Sequence, residues 1–519
     1  MNFFKNFLLR EKYLYPLILS FFSILINQYY GYIGILPIDS FLIFNSGYDL
    51  LNGYYPFKDY WTIKEPFIDL IQAFFFKFFG VSWFAYVLHA SIFNFLISLS
   101  TYFILRYFEL SRLLSFLYAF CVAGLTYPTA GTPFSDHHTL ILCVLSLYIF
   151  LLAIKTNNKY FWFLIPFILG FSFLSKQAPT AYMILIISFL SLIYFIFKKD
   201  FKGLIFSFLG VVIFILIFTI ILFVLDIKFI DFLNQYILFP QSLGSSRLDW
   251  VFPLEFKRFV LRFKIHYISI FFLAFILIRS FVLKRKKILI EDVVTQLSII
   301  ASCLLFIFHQ LMTINAIFIY CLIPIFIAFS NIYCDKFYKK KYLDKFFVIF
   351  LLISSTYYFI TYVHNRTFMD LRSVNLSNSI DAGKINKRLN GIKWITMFYP
   401  DNPDKEVKNI NFAIDILKKD KGKKMIITDY QFISVFLEEY DYAPTRFWYD
   451  FHGYPSENNK YFDYWKQFVL KKIRKNDIKS IYVLKPLHGE TKPLENVLEG
   501  CYQRKNFSAV FYKLILKNC

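Results

Sequence analysis

Long apolar runs recur along the chain, and they constrain its fold more than any other feature. Runs of roughly 18 or more apolar residues are long enough to cross a ~30 Å hydrocarbon core as helices. Of the 519 residues, 57% are hydrophobic and 22% are aromatic, more than soluble domains usually contain. The sequence therefore predicts a mainly α protein, a polytopic bundle of transmembrane helices.

The apolar runs predict about eleven spans. They lie near residues 13–36, 83–105, 112–128, 138–154, 160–175, 180–197, 203–225, 266–283, 293–309, 315–332 and 345–363. The N-terminal stretch "MNFFKNFLLREKYLYPLILS", which leads into the first span, lacks a small-residue cleavage site and is typical of a start helix. The run "FIDLIQAFFFKFFG" is too interrupted to cross and is typical of a helix in the membrane interface.

The basic residues set the predicted orientation. The net charge of +22 is compatible with nucleic-acid binding, but lysines and arginines mostly cluster between the apolar runs, so topology explains them and no nucleic-acid partner is predicted. Six basic connections fall on one side if every span crosses, and the positive-inside rule makes that side cytoplasmic. We therefore expect a bacterial cytoplasmic (inner) membrane protein with a cytoplasmic N-terminus and an extracytoplasmic C-terminal region.

The C-terminal region has a different composition. Residues 364–519 are polar and contain strand-like runs such as "KKMIITD", and "YWKQFVLKKIRKNDIKSIYVL" predicts an amphipathic helix, a turn and a strand. We predict a transmembrane domain over residues 1–363 and an extracytoplasmic α/β domain over residues 364–519. Cys501 and Cys519 fall in the second domain, where either a disulfide or two free thiols is compatible with the sequence.

The first predicted external loop, residues 37–82, is unusually rich in polar groups. Asp39 directly follows the first span; by local pattern it is a helix N-cap, with Gly53 as the helix stop. Asp59 lies in the aromatic stretch "FKDYW", where a solvated loop charge is the alternative to a functional acid. Lys64 and Glu65 precede a proline, and as a local surface pair they would contribute little stability.

Other external turns add cations and histidines. Lys176 interrupts two apolar spans, a costly position unless the lysine snorkels or meets an anion. Arg247 lies in the long loop over residues 226–265, and His309 ends the ninth span. His137 and His138 are adjacent, and neighbouring residues of a helix point in different directions, so they are a weak metal signal; no metal and no cofactor is predicted.

Acids, cations and aromatic residues on one face of a membrane suit sugar transfer from a polyprenyl-phosphate lipid. The leaving group is a phosphate, which cations neutralise, and the attacking hydroxyl needs a carboxylate base. The first loop then carries a further signal: an acid after span one, "GYDLLNGYYPFKDYW", a Lys-x-Pro feature, and a stretch ending "FFG". With "FLSKQAP" and "NAIFIYCLIPIFIAF", this pattern over about residues 10–335 resembles the GT-C superfamily of integral-membrane glycosyltransferases, especially protein O-mannosyltransferases and aminoarabinose transferases.

The resemblance implies roles for individual residues. Asp39 matches the family's first-loop acid, taken to be the catalytic base, and Asp59 stands as a second acid because Ser40 replaces the glutamate many relatives have. Lys64 matches a lysine that contacts lipid phosphate, although Glu65 replaces the first of two prolines there, and Lys176 looks like a later donor-phosphate lysine. We add Arg247 as a phosphate contact and Glu65 and His138 as substrate-binding residues.

The resulting hypothesis is an inverting glycosyltransferase with a polyprenyl-phosphate-sugar donor, whose acceptor is a glycan, lipid or protein. One alternative is a lipid-linked glycan flippase or transporter. Such a protein needs ionisable residues within its spans, and the predicted spans contain few of them. Another is a protein like the O-antigen polymerases or ligases, which depend on arginines in late outer loops. A catalytically inactive relative whose outer domain binds a ligand is the third.

Overall fold

The computed structural model describes residues 2–517 except 250, 253–254, 283–288, 339–340 and 450–451; the side chains of residues 2–12, 245–246, 280 and 341 also lie outside the description. Cys519, the predicted partner of Cys501, is outside the described residues, as is the basic run at 284–287. Cys501 itself is disulfide-bonded.

The described chain is mainly helical. In chain order the α-helices are α1 (Asn2–Tyr30), α2 (Pro37–Ser40), α3 (Leu42–Leu51), α4 (Pro66–Phe79), α5 (Trp83–Tyr107), α6 (Arg112–Leu125), α7 (Ser135–Thr156), α8 (Lys159–Ser175), α9 (Gln177–Lys198), α10 (Phe201–Val224), α11 (Phe229–Phe232), α12 (Phe239–Ser242), α13 (Gly244–Leu248), α14 (Lys264–Val282), α15 (Ile290–Met312), α16 (Ile323–Tyr338), α17 (Lys341–Tyr358), α18 (Pro403–Lys419), α19 (Phe432–Leu437), α20 (Phe462–Asn476) and α21 (Lys492–Leu498). Short 3-10 and π turns extend or join several of them.

Among the residues that the structure describes, seven helical segments are long and apolar enough to cross a membrane. They are Trp83–Tyr107, Ser135–Thr156, Gln177–Lys198, Phe201–Val224, Ile290–Met312, Ile317–Tyr338 and Tyr342–Met369. All seven coincide with predicted spans, so the prediction of a multi-pass helical protein is supported, while the number of eleven spans and the orientation stay predictions.

Six strands lie near the C-terminus: β1 (Ile380–Asp381), β2 (Lys393–Trp394), β3 (Lys424–Thr428), β4 (Ser480–Leu484), β5 (Tyr502–Asn506) and β6 (Phe511–Leu516). The larger sheet has the order β3-β4-β6-β5. β3 and β4 run parallel, whereas β6 is antiparallel to both of its neighbours. Every residue of β3 and β4 is buried, as expected for parallel strands covered on both faces.

The chain forms two compact units. The first comprises Met1–Gly31, Ala90–Phe218 and Arg247–Phe368. Its helices are tied by buried polar groups as well as by apolar packing: the Asn94 side-chain amide donates to the backbone carbonyls of Ser23 and Ala123, at 2.9 Å each, and thereby joins α5 to α1 and α6. In a segment with little water, such bonds satisfy carbonyls that would otherwise lack partners.

The second unit comprises Tyr32–His89, Thr219–Ser246 and Met369–Cys519. It therefore contains the polar segment after α1 as well as the sheet. The backbone N–H of Ile35 donates to the Ile395 carbonyl at 3.0 Å, and Phe41 is fully buried against the rings of Trp83, Trp394 and Phe432. Burying these aromatic faces stabilises the segment far more than its few polar contacts do.

Local predictions in this unit have mixed outcomes. The strand in "KKMIITD" is confirmed as β3, and the helix, turn and strand of "YWKQFVLKKIRKNDIKSIYVL" are confirmed as α20 and β4. The N-cap interpretation of Asp39 is wrong. Asp39 lies inside α2, while α3 begins after Phe41, which makes no side-chain cap.

Candidate functional site

Two side chains meet at the carboxyl edge of the parallel strands. Asp429 directly follows β3, and His488 lies four residues beyond β4. One oxygen of Asp429, Oδ2, accepts hydrogen bonds from the His488 backbone N–H at 3.0 Å and from its ring Nδ1 at 2.8 Å. The Asp429 side chain is fully buried and that of His488 is 21% exposed. Because Nδ1 donates to the carboxylate, the other ring nitrogen, Nε2, is the one left for a ligand.

Acidic residues surround this histidine. Burial lowers the pKa of His488, but the hydrogen bond and charge of Asp429, joined by the charges of Asp39 and Asp370, outweigh it, so the pKa is raised above 6.5. The surrounding carboxylates thus favour the protonated form of the ring.

His488 also lines a large cavity. Its volume is ≈ 1430 Å³, and its walls include Phe398, Tyr399, Lys485, His488 and Glu490. The Phe398 ring meets the His488 ring edge-on, with centroids 5.3 Å apart. Ligand sites of open α/β sheets lie outside the carboxyl ends of the parallel strands, and this cavity is in that place.

Two polar groups beside the strand edge lack partners. Among the described residues, Asp429 Oδ1 and both side-chain amide atoms of Gln431 are buried without a hydrogen bond. Unsatisfied buried polar atoms are costly, and they are often completed by a ligand or ordered water. Together with His488 they give this edge the donors and acceptors that a hydroxyl-rich ligand would use.

Asp39 interacts electrostatically with His488. Its backbone N–H donates to the Leu36 carbonyl at 3.1 Å, within the turn that forms α2. Its carboxylate acts on both His488 and Tyr86. Asp39 does not itself line the cavity, and its role as the catalytic base stays a prediction.

Lys64 and Glu65 pair with each other. Lys64 Nζ lies 3.1 Å from a Glu65 carboxylate oxygen and 4.0 Å from the centroid of the Phe447 ring. Their side chains are 13% and 2% exposed, so the interpretation of a surface pair is wrong. Glu65 precedes α4 with φ of +78°, a conformation that non-glycine residues rarely adopt.

Asp59 has other neighbours. Its Oδ2 accepts a hydrogen bond from the Tyr55 backbone N–H at 2.8 Å. Its carbonyl accepts from the Tyr440 hydroxyl at 2.9 Å and also from Lys472. It lines a second cavity of the same unit. The role of Asp59 as a second catalytic acid stays a prediction.

The first unit holds the remaining predicted residues. Lys176, between α8 and α9, donates to Asp136 Oδ2 at 2.6 Å, and both side chains are largely buried. Lys176, Asp136 and Arg247 all act electrostatically on His309. Of the two alternatives, snorkelling or an anion, the structure shows an anion, an aspartate of the same unit; the contact of Lys176 with donor phosphate stays a prediction. Lys176 and Arg247 thus stand in one charged cluster.

His138 is fully buried in the first turns of α7. Its ring lies 4.1 Å from that of Phe93, and its Nδ1 contacts the Tyr127 hydroxyl. Because α7 begins at Ser135, His137 and His138 lie within a helix rather than in an external turn. Within the described ranges, no group of three histidine, cysteine, aspartate or glutamate side chains could hold a metal ion.

Sequence reasoning missed His488, Asp429 and Asp370. A signal was present: both strand-like runs end in polar residues, "IITD" and "VLKPLH". The sequence does not show that β3 and β4 are adjacent and parallel. That pairing brings the polar residues after the two strands together.

Comparisons with known proteins give little beyond this geometry. No protein-family model matches the chain, and no curated protein matches it significantly. Among solved structures, the chain is similar to the crystal structure of the Archaeoglobus fulgidus oligosaccharyltransferase in complex with zinc and sulfate. The identity is 13% and the TM-score 0.42, and the match covers 90% of this chain and 67% of that one. A likeness of this size is weak.

Proposed function

We propose that this chain is a membrane glycosyltransferase that moves a sugar from a polyprenyl-phosphate donor to an acceptor hydroxyl at the outer face of the cytoplasmic membrane. The acceptor oxygen attacks the anomeric carbon and forms the new glycosidic bond. The bond between that carbon and the phosphate oxygen breaks, the phosphate leaves on the lipid, and the acceptor proton goes to Asp39. The attack is in line, so the configuration inverts.

The observation that supports this proposal is the electrostatic interaction of Asp39 with His488. Its carboxylate acts on His488, which lines a cavity of ≈ 1430 Å³ large enough for a saccharide. In the proposed mechanism, the His488 imidazolium keeps Asp39 ionised before transfer, and Asp429 holds the ring by its Nδ1. His488 is a positioning residue here, while Asp39 meets the reacting hydroxyl.

In the proposed mechanism, the cations of the site stabilise the leaving phosphate. Lys176 and Arg247 are proposed to neutralise the donor phosphate, which would compete with Asp136 for Lys176. Lys64 has a carboxylate partner in Glu65, so a phosphate contact there requires that pair to open. When the Lys64–Glu65 pair opens, Glu65 is proposed to contact the sugar hydroxyls. The burial of His138 between aromatic rings suits a packing role better than its predicted contact with substrate.

The decisive experiment is turnover of a radiolabelled polyprenyl-phosphate sugar by the full chain in proteoliposomes. Asp39→Asn is expected to lower the transfer rate by about 10²- to 10⁴-fold, the usual contribution of a general base. The matched control is Asp404→Asn, which removes an exposed carboxylate paired with Lys384. Both variants should insert in the membrane and unfold like the wild type.

Two results would oppose the proposal. Near-normal transfer by Asp39→Asn would remove Asp39 from the mechanism. Movement of the labelled lipid between leaflets without a new glycosidic product would favour the flippase alternative.

A further inference from the structure

A second cavity of the second unit is rich in lysine. Its volume is ≈ 570 Å³. We call it the lysine cleft and define it by its five lysines: Lys58, Lys228, Lys471, Lys472 and Lys475. Three aspartates, Asp59, Asp226 and Asp231, also line it.

The aspartates offset only part of the charge of the lysine cleft, because three carboxylates face five lysines. Asp59 Oδ2 accepts a backbone N–H, and Asp231 accepts the hydroxyl of Tyr464. Asp226 pairs with Lys58 at 3.0 Å. Lys228 and Lys475 also converge on it: the hydrogen bond and charge of Lys58, aided by these two lysines, lower the pKa of Asp226.

Three exposed lysines remain. Lys228, Lys471 and Lys475 make no ion pair or side-chain hydrogen bond with any described residue. They carry like charges at one cleft, and Asp226, the carboxylate on which Lys228 and Lys475 act, is already paired with Lys58. The site is therefore electrostatically prepared for a ligand with at least one negative charge.

The rim of the lysine cleft is apolar. Helix α10, a candidate span, ends at Val224, and Asp226 and Lys228 follow at once. Around them, the side chains of Phe223, Val224, Phe229 and Ile230 are 85%, 71%, 60% and 52% exposed. Apolar side chains exposed where a span ends are those that meet lipid, and lysines next to them lie at the level of the head groups.

The predicted orientation makes Lys228 unusual. It places the C-terminal end of α10 on the outer side of the membrane, where topology calls for few basic residues. Of the three exposed lysines only Lys228 lies close to the end of a span, so the positive-inside rule applies to it alone; Lys471 and Lys475 belong to α20.

The wall of the cleft is rigid. The rings of Tyr54 and Tyr440 stack with centroids 3.6 Å apart. Behind them Lys472 is buried and donates to the carbonyls of Asp59 and Ala443 and to the Tyr440 hydroxyl. The fixed wall leaves only exposed lysine side chains to be ordered on binding, which lowers the entropic cost.

We propose that the lysine cleft binds the phosphate of an anionic membrane lipid, with Lys228, Lys471 and Lys475 around the phosphate and the hydrocarbon chain over Phe223, Val224, Phe229 and Ile230. This site is separate from the donor contacts proposed above and does not depend on glycosyl transfer. The occupant is identified by two features together, a phosphate charge and an apolar chain.

The test measures lipid binding to the purified full chain in a neutral detergent. Native mass spectrometry counts bound phosphatidylglycerol, with phosphatidylcholine as the zwitterionic lipid and glycerol phosphate as the soluble phosphate. The variant is Lys228→Gln/Lys471→Gln/Lys475→Gln. The matched control, Lys405→Gln/Lys408→Gln/Lys418→Gln, removes three exposed lysines of α18.

We expect phosphatidylglycerol to bind wild type and control equally and the cleft variant on the order of 100-fold more weakly, since three lysines that attract an anionic head group are removed. Equal binding by the cleft variant would overturn the proposal, as would equal binding of phosphatidylcholine to the wild type. Competition by glycerol phosphate at the concentration at which the lipid binds would overturn the lipid as occupant, since the apolar rim would then contribute nothing.

Discussion

The ion pair between Asp49 and Arg446 gives the sharpest stability prediction. Asp49 is in α3, in the segment after the first helix, and Arg446 is in the C-terminal region; both belong to the second unit. Arg446 Nε lies 2.8 Å from Asp49 Oδ2, and the two side chains are 2% and 1% exposed. Arg446 also donates to the carbonyls of Ala443 at 3.0 Å and Asp441 at 2.7 Å.

Asp49→Asn removes one partner and leaves a buried guanidinium. Loss of one member of a buried pair costs about 3–5 kcal/mol. The two carbonyls and the Asp441 carboxylate, 3.7 Å from Nη1, compensate part of this, so we expect about 3 kcal/mol. For a cooperative unit of roughly 150–250 residues, that corresponds to a fall in Tm of about 6–12 °C.

The assay is thermal unfolding of the full chain in detergent, followed by tryptophan fluorescence. Asp404→Asn is the control, because its pair with Lys384 has a similar length, 3.1 Å, but both side chains are 55% exposed. An exposed pair contributes about 1 kcal/mol or less. If the two variants unfold at the same temperature, burial is not what makes the Asp49–Arg446 pair important, and the reasoning fails.

Two further predictions concern the charged clusters. His488→Gln should lower the Tm more at about pH 6 than at about pH 8.5: the pKa of His488 is raised in the folded state, so its stabilisation is complete below the unfolded pKa of about 6.5 and is lost as pH rises through the folded value. An equal difference in Tm at both pH values would contradict this. Lys176→Met should destabilise the first unit by about 2–4 kcal/mol because it leaves Asp136 buried without its cation, and adding Asp136→Leu should recover most of the loss; a double variant as unstable as the single one would show that packing, not charge, is at stake. Neither variant of Lys176 should regain full transfer if that lysine contacts the donor phosphate.

The candidate site shows which predictions can be made from the type and position of single residues. Asp39 was singled out because an acid directly follows an apolar span, at the surface of the membrane; in the structure its charge acts on His488, which lines a cavity. Lys176 was singled out because a lysine between apolar helices must snorkel or meet an anion, and the structure pairs it with Asp136. The inference about Lys176 rests on the cost of an unpaired charge at low dielectric.

Lys64 and Glu65 show where such reasoning stops. Adjacent opposite charges before a proline indicate an exposed turn, yet both side chains are mostly buried. Burial depends on which distant residues cover a turn, here Phe447, nearly four hundred positions along the chain. No local pattern contains that information.

The sequence alone determined the helical, multi-pass character, the strands and helix of the C-terminal region, and the charges that must find partners, because apolar length, periodicity and charge are local properties. Only the tertiary structure decided that the segment after the first helix folds into one unit with the C-terminal sheet, and that Asp429 and His488 meet at the carboxyl edge of the parallel strands. Those outcomes depend on which strands pair and which aromatic faces bury one another, and such long-range choices minimise the free energy of the whole unit rather than of any one stretch.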